Sequence, residues 1–392
     1  MSGTSPDSVV YPTVPYGVIP QDQNGFFGEA GMNRLPLQAP FLKWRKAVAN
    51  VRTGTARAKL LFVGDSTTMG AGAGTGGTTN LNAAFPRCFP ARVATILNQT
   101  FVPCSFNSIW GSQNAPALLT YSTYDTRTVF GTGWAMSGGG TLGVNFIRFT
   151  SGGGVATFAF TPTAAFDTIT IYYYAAAGQG TFTTDVDGGA SLGTTNTATG
   201  SGFLSTSFTV SAGTHTININ AQNNGSLFIS GIIPSLSTTY AVDAVLAAHY
   251  GCTAANYNSA GSFGPLTALR AYAPDCTVVN LTINDASQGT NRSTYRANLA
   301  TLISAAQESG DVVLMVGAPP NNTVTTSGTL GLYADVVYDL AAQYNCGLVD
   351  IYRRWGVYSN ISADFPYYDA LHPGNLAYAD MAQAVASGLM FQ

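Results

Sequence analysis

Charge is scarce in this chain. Of 392 residues, 16 are Lys or Arg and 19 are Asp or Glu, for a formal net charge of −3. No basic cluster is present to neutralise phosphates, so nucleic acid is not an expected partner. No apolar run reaches the roughly 20 residues that a spanning helix needs, so no membrane partner is expected either. Cysteine is sparse too. Cys88, Cys104, Cys252, Cys276 and Cys346 include no Cys-x-x-Cys pair, which argues against a zinc site, and no metal is expected. Cys88 with Cys104 and Cys252 with Cys276 are candidate disulfides; the alternative is that they are small buried hydrophobes. Met1 to Gln21 shows no basic stretch followed by an apolar core, so no signal peptide is read there. Abundant Gly, Ser, Thr, Asn and Tyr with little charge is a composition associated with secreted or virion-borne proteins. An extracellular or virion-associated location is therefore expected, reached after removal of a leader or by assembly into a particle.

Against this background one stretch stands out. Leu60-Leu61-Phe62-Val63 reads as a buried parallel strand, and Gly64-Asp65-Ser66 follows as a turn at its C-terminal end. That is where open α/β sheets place their sites. A serine exposed there is a poor nucleophile without a base. About 300 residues later stands Asp369-Ala370-Leu371-His372-Pro373-Gly374. His372 can serve as the base, with Asp369 orienting the ring and stabilising the imidazolium. The other histidines, His215 and His249, are expected to be structural or exposed.

Gly-Asp-Ser near the start and Asp-x-x-His near the end resemble the SGNH (GDSL-type) hydrolase family. A third block of that family, Gly-x-Asn-Asp, is matched by Thr282-Ile283-Asn284-Asp285 after the strand Thr277–Leu281, with Thr282 where the family has glycine. The resemblance covers roughly residues 55–112 and 245–392. It implies a serine esterase with Ser66, Asp369 and His372 as the triad. Its oxyanion hole would be formed by the Ser66 N–H, a glycine N–H and the Asn284 side chain. Asn256 to Gly261 has the family's Asn-x4-Gly spacing and makes Gly261 the favoured glycine, with Gly111, after Asn107, as the alternative. No cofactor is implied. The expected substrate is an acylated carbohydrate, above all O-acetyl esters. Alternatives are an acyltransferase or a lipase/thioesterase using the same site, or a glycan-binding virion protein whose site has degenerated. Asp285 is expected to brace the Asn284 loop.

The glycine-rich stretch Gly72-Ala73-Gly74-Thr75-Gly76-Gly77 matches the dinucleotide pattern formally. It starts too far from the strand, and no Asp or Glu lies between Asp65 and Asp125 to hold a ribose. It is read instead as a rim of the site. Residues 1–54 read as an extended arm, able to pack on a second copy or a virion partner, followed by a short helix at Phe41–Val51. Residues 55–124 and 237–392 read as two parts of a doubly wound, flavodoxin-like, three-layer α/β domain. Its helices fall at Phe89–Leu97, Tyr240–Tyr250, Gly264–Ala273, Ser293–Glu308 and Leu330–Tyr344, with a last one opening at Pro373-Gly374. Its strands fall at Phe101–Phe106, Thr277–Thr282, Val312–Val316 and Gly347–Ile351. Between the two parts, 125–236 is a run of short β-rich segments with Gly/Ser/Asn turns, expected to form an all-β jelly-roll or β-sandwich insert. It resembles carbohydrate-binding modules found in some SGNH esterases; a purely structural insert is the alternative. Trp110, Trp134 and Tyr172–Tyr174 are its candidate sugar-stacking or core aromatics.

Overall fold

The structure is a computed structural model and describes residues 41–112, 121–152, 156–321 and 327–390. The arm expected at the N-terminus lies outside these residues up to position 40. The expected helix is present at Leu42–Arg52.

A six-stranded parallel sheet forms the α/β part. Its strands are β1 (Ala58–Gly64), β2 (Cys104–Ser105), β3 (Val242–Ala248), β4 (Cys276–Asn280), β5 (Asp311–Val316) and β6 (Gly347–Asp350). Their spatial order is β6-β5-β4-β1-β3-β2, all pairs parallel. β1 is central, and successive connections leave it in opposite directions. The chain thus has its switch point at the carboxyl end of β1, where a crevice opens.

The sequence of β1 explains its place. Alternate side chains of a strand point to opposite faces. Leu60 and Phe62 enter one apolar core with the Phe89–Gln99 and Asn375–Met390 helices, whereas Leu61 and Val63 enter the other with the helices Pro265–Tyr272, Arg292–Gln307 and Ser327–Tyr344. Burial on both faces calls for a continuous apolar run, and β1 supplies one.

One element differs from its expected type. Tyr240–Tyr250, expected to be a helix, instead holds β3 at Val242–Ala248, buried at every position. Propensity is overruled by the slot beside β1, which admits only a strand with short side chains on both faces. The one charge on it, Asp243, is held bidentately by Arg57 at 2.6 and 2.9 Å. The same guanidinium donates to the Thr239 carbonyl at 2.6 Å, so it clamps the segment through which the chain re-enters the parallel sheet.

Between β2 and β3 the chain builds two antiparallel sheets. One runs in the order Gly193–Asn196, Thr181–Val186, Ile217–Ala221, Ala156–Phe160, Thr128–Phe130; the other runs Gly202–Gly213, Phe166–Ala175, Leu227–Ser235, Phe146–Phe149, Trp134–Ser137. Their apolar sides face each other: Trp134 meets Phe158, and Tyr173 meets Phe182. The strand Ile109–Trp110 pairs with Gly231–Ile232, so the second sheet is already joined upstream of position 125, where the change of texture in the sequence had put the boundary. The gradual onset hid this, because Ile109–Trp110 is only two residues long.

The aromatic residues considered for sugar stacking have other work. Trp134 is buried, with its indole N–H donating to the Ala156 carbonyl. Trp110 lies in a stack with Tyr172, Phe203 and Tyr272, which fastens the β-rich part to the Pro265–Tyr272 helix. Tyr173 and Tyr174 are buried. No disulfide forms: all five cysteines are free and buried, as small apolar side chains. Among the described residues no helix is long and apolar enough to cross a membrane.

Candidate active site

Ser66 opens a one-turn helix, Ser66–Met69, directly after β1. Asp65 caps that turn. Its Oδ1 accepts the Thr67 N–H at 2.8 Å and the Thr67 hydroxyl at 2.7 Å. The Asn280 amide, at the end of β4, donates to the hydroxyls of Thr67 (2.9 Å) and Thr68 (3.0 Å). Gly64 is required for close approach, since a Cβ there would stand 2.0 Å from the Thr68 hydroxyl. The nucleophile turn is therefore fixed to the neighbouring strand by buried hydrogen bonds.

His372 comes to Ser66 from the opposite end of the chain. Its Nε2 lies 3.0 Å from Ser66 Oγ, and its Nδ1 lies 2.8 Å from Asp369 Oδ2. Asp369 also accepts the backbone N–H groups of Leu371 (2.8 Å) and His372 (2.6 Å) on Oδ1. Burial alone would raise the Asp369 pKa, but the bonds from His372 and Leu371 and the imidazole charge outweigh it and hold the carboxyl at about 2. An ionised Asp369 makes Nδ1 the donor, which leaves the Nε2 lone pair facing the serine hydroxyl. Ser66 and His372 are both almost wholly covered, at 1% and 2% exposure, rather than open at the sheet mouth. The imidazole itself closes over the serine.

Asp65 is the other titratable group here. Burial pushes its pKa up to about 6, against the opposing effects of the Thr67 hydrogen bonds and His372. Its Oδ2 is buried with no hydrogen-bond partner among the described residues.

Asn284 follows β4 in a short helix, Ile283–Ser287. Its side-chain amide donates to the Cys252 carbonyl at 2.9 Å, leaving its second hydrogen for another acceptor. Thr282 is accommodated where the resemblance asks for glycine because its φ is −126°, ordinary for a β-branched residue. Its hydroxyl takes part in a buried bond with Tyr295 at 3.3 Å. Asp285 accepts the Ala254 N–H at 2.8 Å and so braces the loop after β3 against the loop after β4.

Gly261 is not brought to this cluster by any contact among the described residues. It is exposed, and its carbonyl accepts from Thr267 ahead of the Pro265–Tyr272 helix. Its loop serves the β-rich part instead: Phe263 packs on Phe146, Tyr174 and Phe228, and its carbonyl accepts the Thr141 N–H. Gly111 is likewise engaged elsewhere, donating to the Ser230 carbonyl at 2.8 Å. The glycine in the expected topological place is Gly251. It follows β3, has φ +74°, and has open space where a side chain would stand. The loop it belongs to is tied to the end of β1: the His249 N–H and the Tyr257 hydroxyl both donate to the Gly64 carbonyl, at 3.0 and 2.8 Å. A helix over Tyr240–Tyr250 would leave no strand end for this glycine to follow; the strand Val242–Ala248 supplies one.

Residues 230–379 match the model of the GDSL-like Lipase/Acylhydrolase family. That similarity lies almost entirely in the α/β residues that follow the two antiparallel sheets. A solved peptidoglycan O-acetylesterase superposes with a TM-score of 0.64 at 15% identity, over 88% of this chain and 95% of that one, so the likeness of fold extends beyond residues 230–379. An acetylxylan esterase from Geobacillus stearothermophilus gives a TM-score of 0.32 at 18% identity over 39% of this chain and 74% of its own. A family two carbohydrate esterase from Clostridium thermocellum gives 0.31 at 12% identity over 66% of this chain and 97% of its own. The search of curated proteins found no match.

The remaining histidines lie apart from Ser66. His215 pairs with Asp187 at 2.6 Å on the β-rich part, and His249 has its Nδ1 2.9 Å from the Tyr250 carbonyl. The glycine-rich stretch does border the site. A Cβ on Gly72 (φ +94°) would lie 2.2 Å from the Pro373 carbonyl, next to His372.

Proposed function

We propose that this protein is a serine ester hydrolase that removes acyl groups, O-acetyl groups foremost, from a carbohydrate. The observation that carries the reading is the continuous chain Ser66 Oγ, His372 Nε2, His372 Nδ1, Asp369 Oδ2, with links of 3.0 and 2.8 Å. Ser66 Oγ attacks the acyl carbon while its proton passes to His372 Nε2. The carbonyl π pair moves onto oxygen, and the resulting oxyanion is met by the N–H of Ser66, the N–H of Gly251 and the free hydrogen of the Asn284 amide. His372 then gives its proton to the departing sugar hydroxyl. Water, deprotonated by the same imidazole, cleaves the acyl-serine and restores the site. None of these steps calls for a metal or a redox group.

The carbohydrate acceptor is supported by the likeness of fold to a peptidoglycan O-acetylesterase. It is supported too by a composition poor in charge and rich in hydroxyl and amide side chains. The β-rich part would then help to hold the glycan, and the arm before residue 41 would serve assembly with another copy or a virion, outside the cell. The test is acetate release from a panel of acetylated polysaccharides beside p-nitrophenyl acetate and its longer acyl homologues. Acetate release from at least one glycan, with activity falling as the acyl chain lengthens, is expected. Preference for long chains would make the protein a lipase or thioesterase instead, and no turnover of any ester would end the hydrolase reading.

A further inference from the structure

Tyr250 lies between the end of β3 and Gly251, and the catalytic scheme above does not use it. Its ring sits beside the His372 imidazole with centroids 5.6 Å apart and planes tilted by 34°. That separation is within the reach of a cation–π contact. The phenol is not free to swing away, because its hydroxyl is hydrogen-bonded to the Thr79 side chain. Thr79 lies two residues after the glycine-rich stretch and sits at φ +51°, followed by Asn80 at +50°. Left-handed backbone at two successive non-glycine residues is uncommon and persists where surrounding bonds hold it. Here the Gly72 N–H donates to the Thr79 carbonyl at 2.9 Å, and the Asn80 amide donates to the Gly72 carbonyl at 3.0 Å. The loop is thus folded so that its threonine meets the phenol.

We propose that Tyr250 is a positioning residue for His372: its ring holds the imidazole against Ser66 and stabilises the imidazolium that forms when the serine proton is taken. The proposal rests on the hydrolase reading of Ser66 and His372. The charged and titratable groups around the imidazole are Asp369 on its own loop, Asp65 under the nucleophile turn, and Tyr250. The Tyr378 phenol, also near Asp65 and Asp369, is fixed by donation to the Ala71 carbonyl at 2.6 Å. Asp369 favours the charged ring from the Nδ1 side. Tyr250 supplies a second support beside the ring, away from the Nδ1–Asp369 bond.

The experiment compares Tyr250→Phe and Tyr250→Leu in the full chain. Leucine keeps an apolar cover over His372 and removes the aromatic ring together with the bond to Thr79, whereas phenylalanine removes that bond alone. Two readouts are taken: the pH dependence of kcat/KM for p-nitrophenyl acetate, and the NMR titration of the His372 ring, assigned with His215→Gln and His249→Gln. In Tyr250→Leu the midpoint should fall by about 0.4–0.7 of a pH unit, the size of one such contact, with kcat lower by about tenfold. Tyr250→Phe should keep the midpoint of the unsubstituted protein and lose at most about threefold in kcat. An unmoved midpoint in Tyr250→Leu, or a Tyr250→Phe that behaves like it, overturns the proposal. If the unsubstituted protein turned over no ester, the hydrolase reading would fail, while the ring titration would still decide whether Tyr250 supports the charge.

Discussion

At the scale of single residues, the site divides into groups that touch substrate and groups that hold those groups still. Ser66→Ala removes the nucleophile and should lower kcat by several powers of ten with the melting temperature little changed, as single triad deletions do. Retention of more than about a tenth of the activity would rule Ser66 out. Asn284→Ala should cost roughly 10²–10³ in kcat with a small change in KM, the usual loss for one preorganised donor. Gly261→Ala, by contrast, should leave kcat unchanged, since Gly261 is exposed and its carbonyl is bonded to Gly264 and Thr267 rather than to the site. A large kcat loss there would restore it to the oxyanion hole. Asp65 offers a test in stability rather than rate. Its carboxyl titrates near 3.8 when unfolded and at about 6 in the fold. Between those values the folded protein keeps a proton that the unfolded chain has released, so its contribution to stability falls as pH rises through that window. Urea midpoints at pH 4 and pH 7 should therefore lie closer together in Asp65→Asn than in the unsubstituted protein, relative to a fixed background. An identical spacing would mean that Asp65 is not perturbed.

At the scale of elements, the legibility of the sequence depended on whether one residue or a neighbourhood set the outcome. β1, β4, β5 and β6 were readable because each is a short apolar run flanked by turn chemistry, and the helices Phe89–Gln99 and Arg292–Gln307 because their apolar residues recur at helical spacing. Ser66, Asp369 and His372, which the structure brings within hydrogen-bond reach of one another, stand out in the sequence because each sits in a short local motif. Val242–Ala248 does not, because its strand state comes from the vacancy between β1 and β2, which no local pattern encodes. The error spread to Gly251, whose meaning depends on what precedes it. The short strands Thr128–Phe130, Trp134–Ser137 and Gly193–Asn196 carry little pattern of their own; each is held by the strand it pairs with. Gly72 belongs to this scale too. Gly72→Ala would place a methyl against the Pro373 carbonyl at a left-handed φ, so the His372 loop must move. Loss of kcat by an order of magnitude or more, with Ser66 still in place, is expected, together with a lower melting temperature. Full activity in Gly72→Ala would show that the glycine-rich stretch does not set the position of the histidine loop.

At the scale of the whole molecule, the β-rich part and the α/β part share their packing. Trp110, Tyr172, Phe203 and Tyr272 form one aromatic stack across the junction, and Phe263 reaches from the α/β part into Phe146, Tyr174 and Phe228. None of Ser66, Gly251, Asn284, Asp369 and His372 comes from residues 109–235. Excising 109–235 with a short linker should nonetheless abolish hydrolysis of small esters, because the stack and Phe263 would be left facing water and the remainder would aggregate. A soluble, active remainder would show that the junction is dispensable. Static light scattering and p-nitrophenyl acetate turnover read the two outcomes.

The central strand carries a further consequence, for the order in which the molecule is made. β1 is synthesised well before its hydrogen-bonding neighbours, which begin at Val242 and Cys276. Until both arrive, an apolar strand waits with two open edges, the condition under which nascent chains stick to one another. The antiparallel sheets are synthesised during that wait and pair mainly among themselves, so they can fold while β1 is still unpartnered. The Ser66–His372 contact cannot form until His372 is made, 306 residues after Ser66. Refolding from denaturant should show this as two phases, with aromatic fluorescence from the β-rich part recovering first and ester hydrolysis last, at a rate limited by long-range parallel pairing.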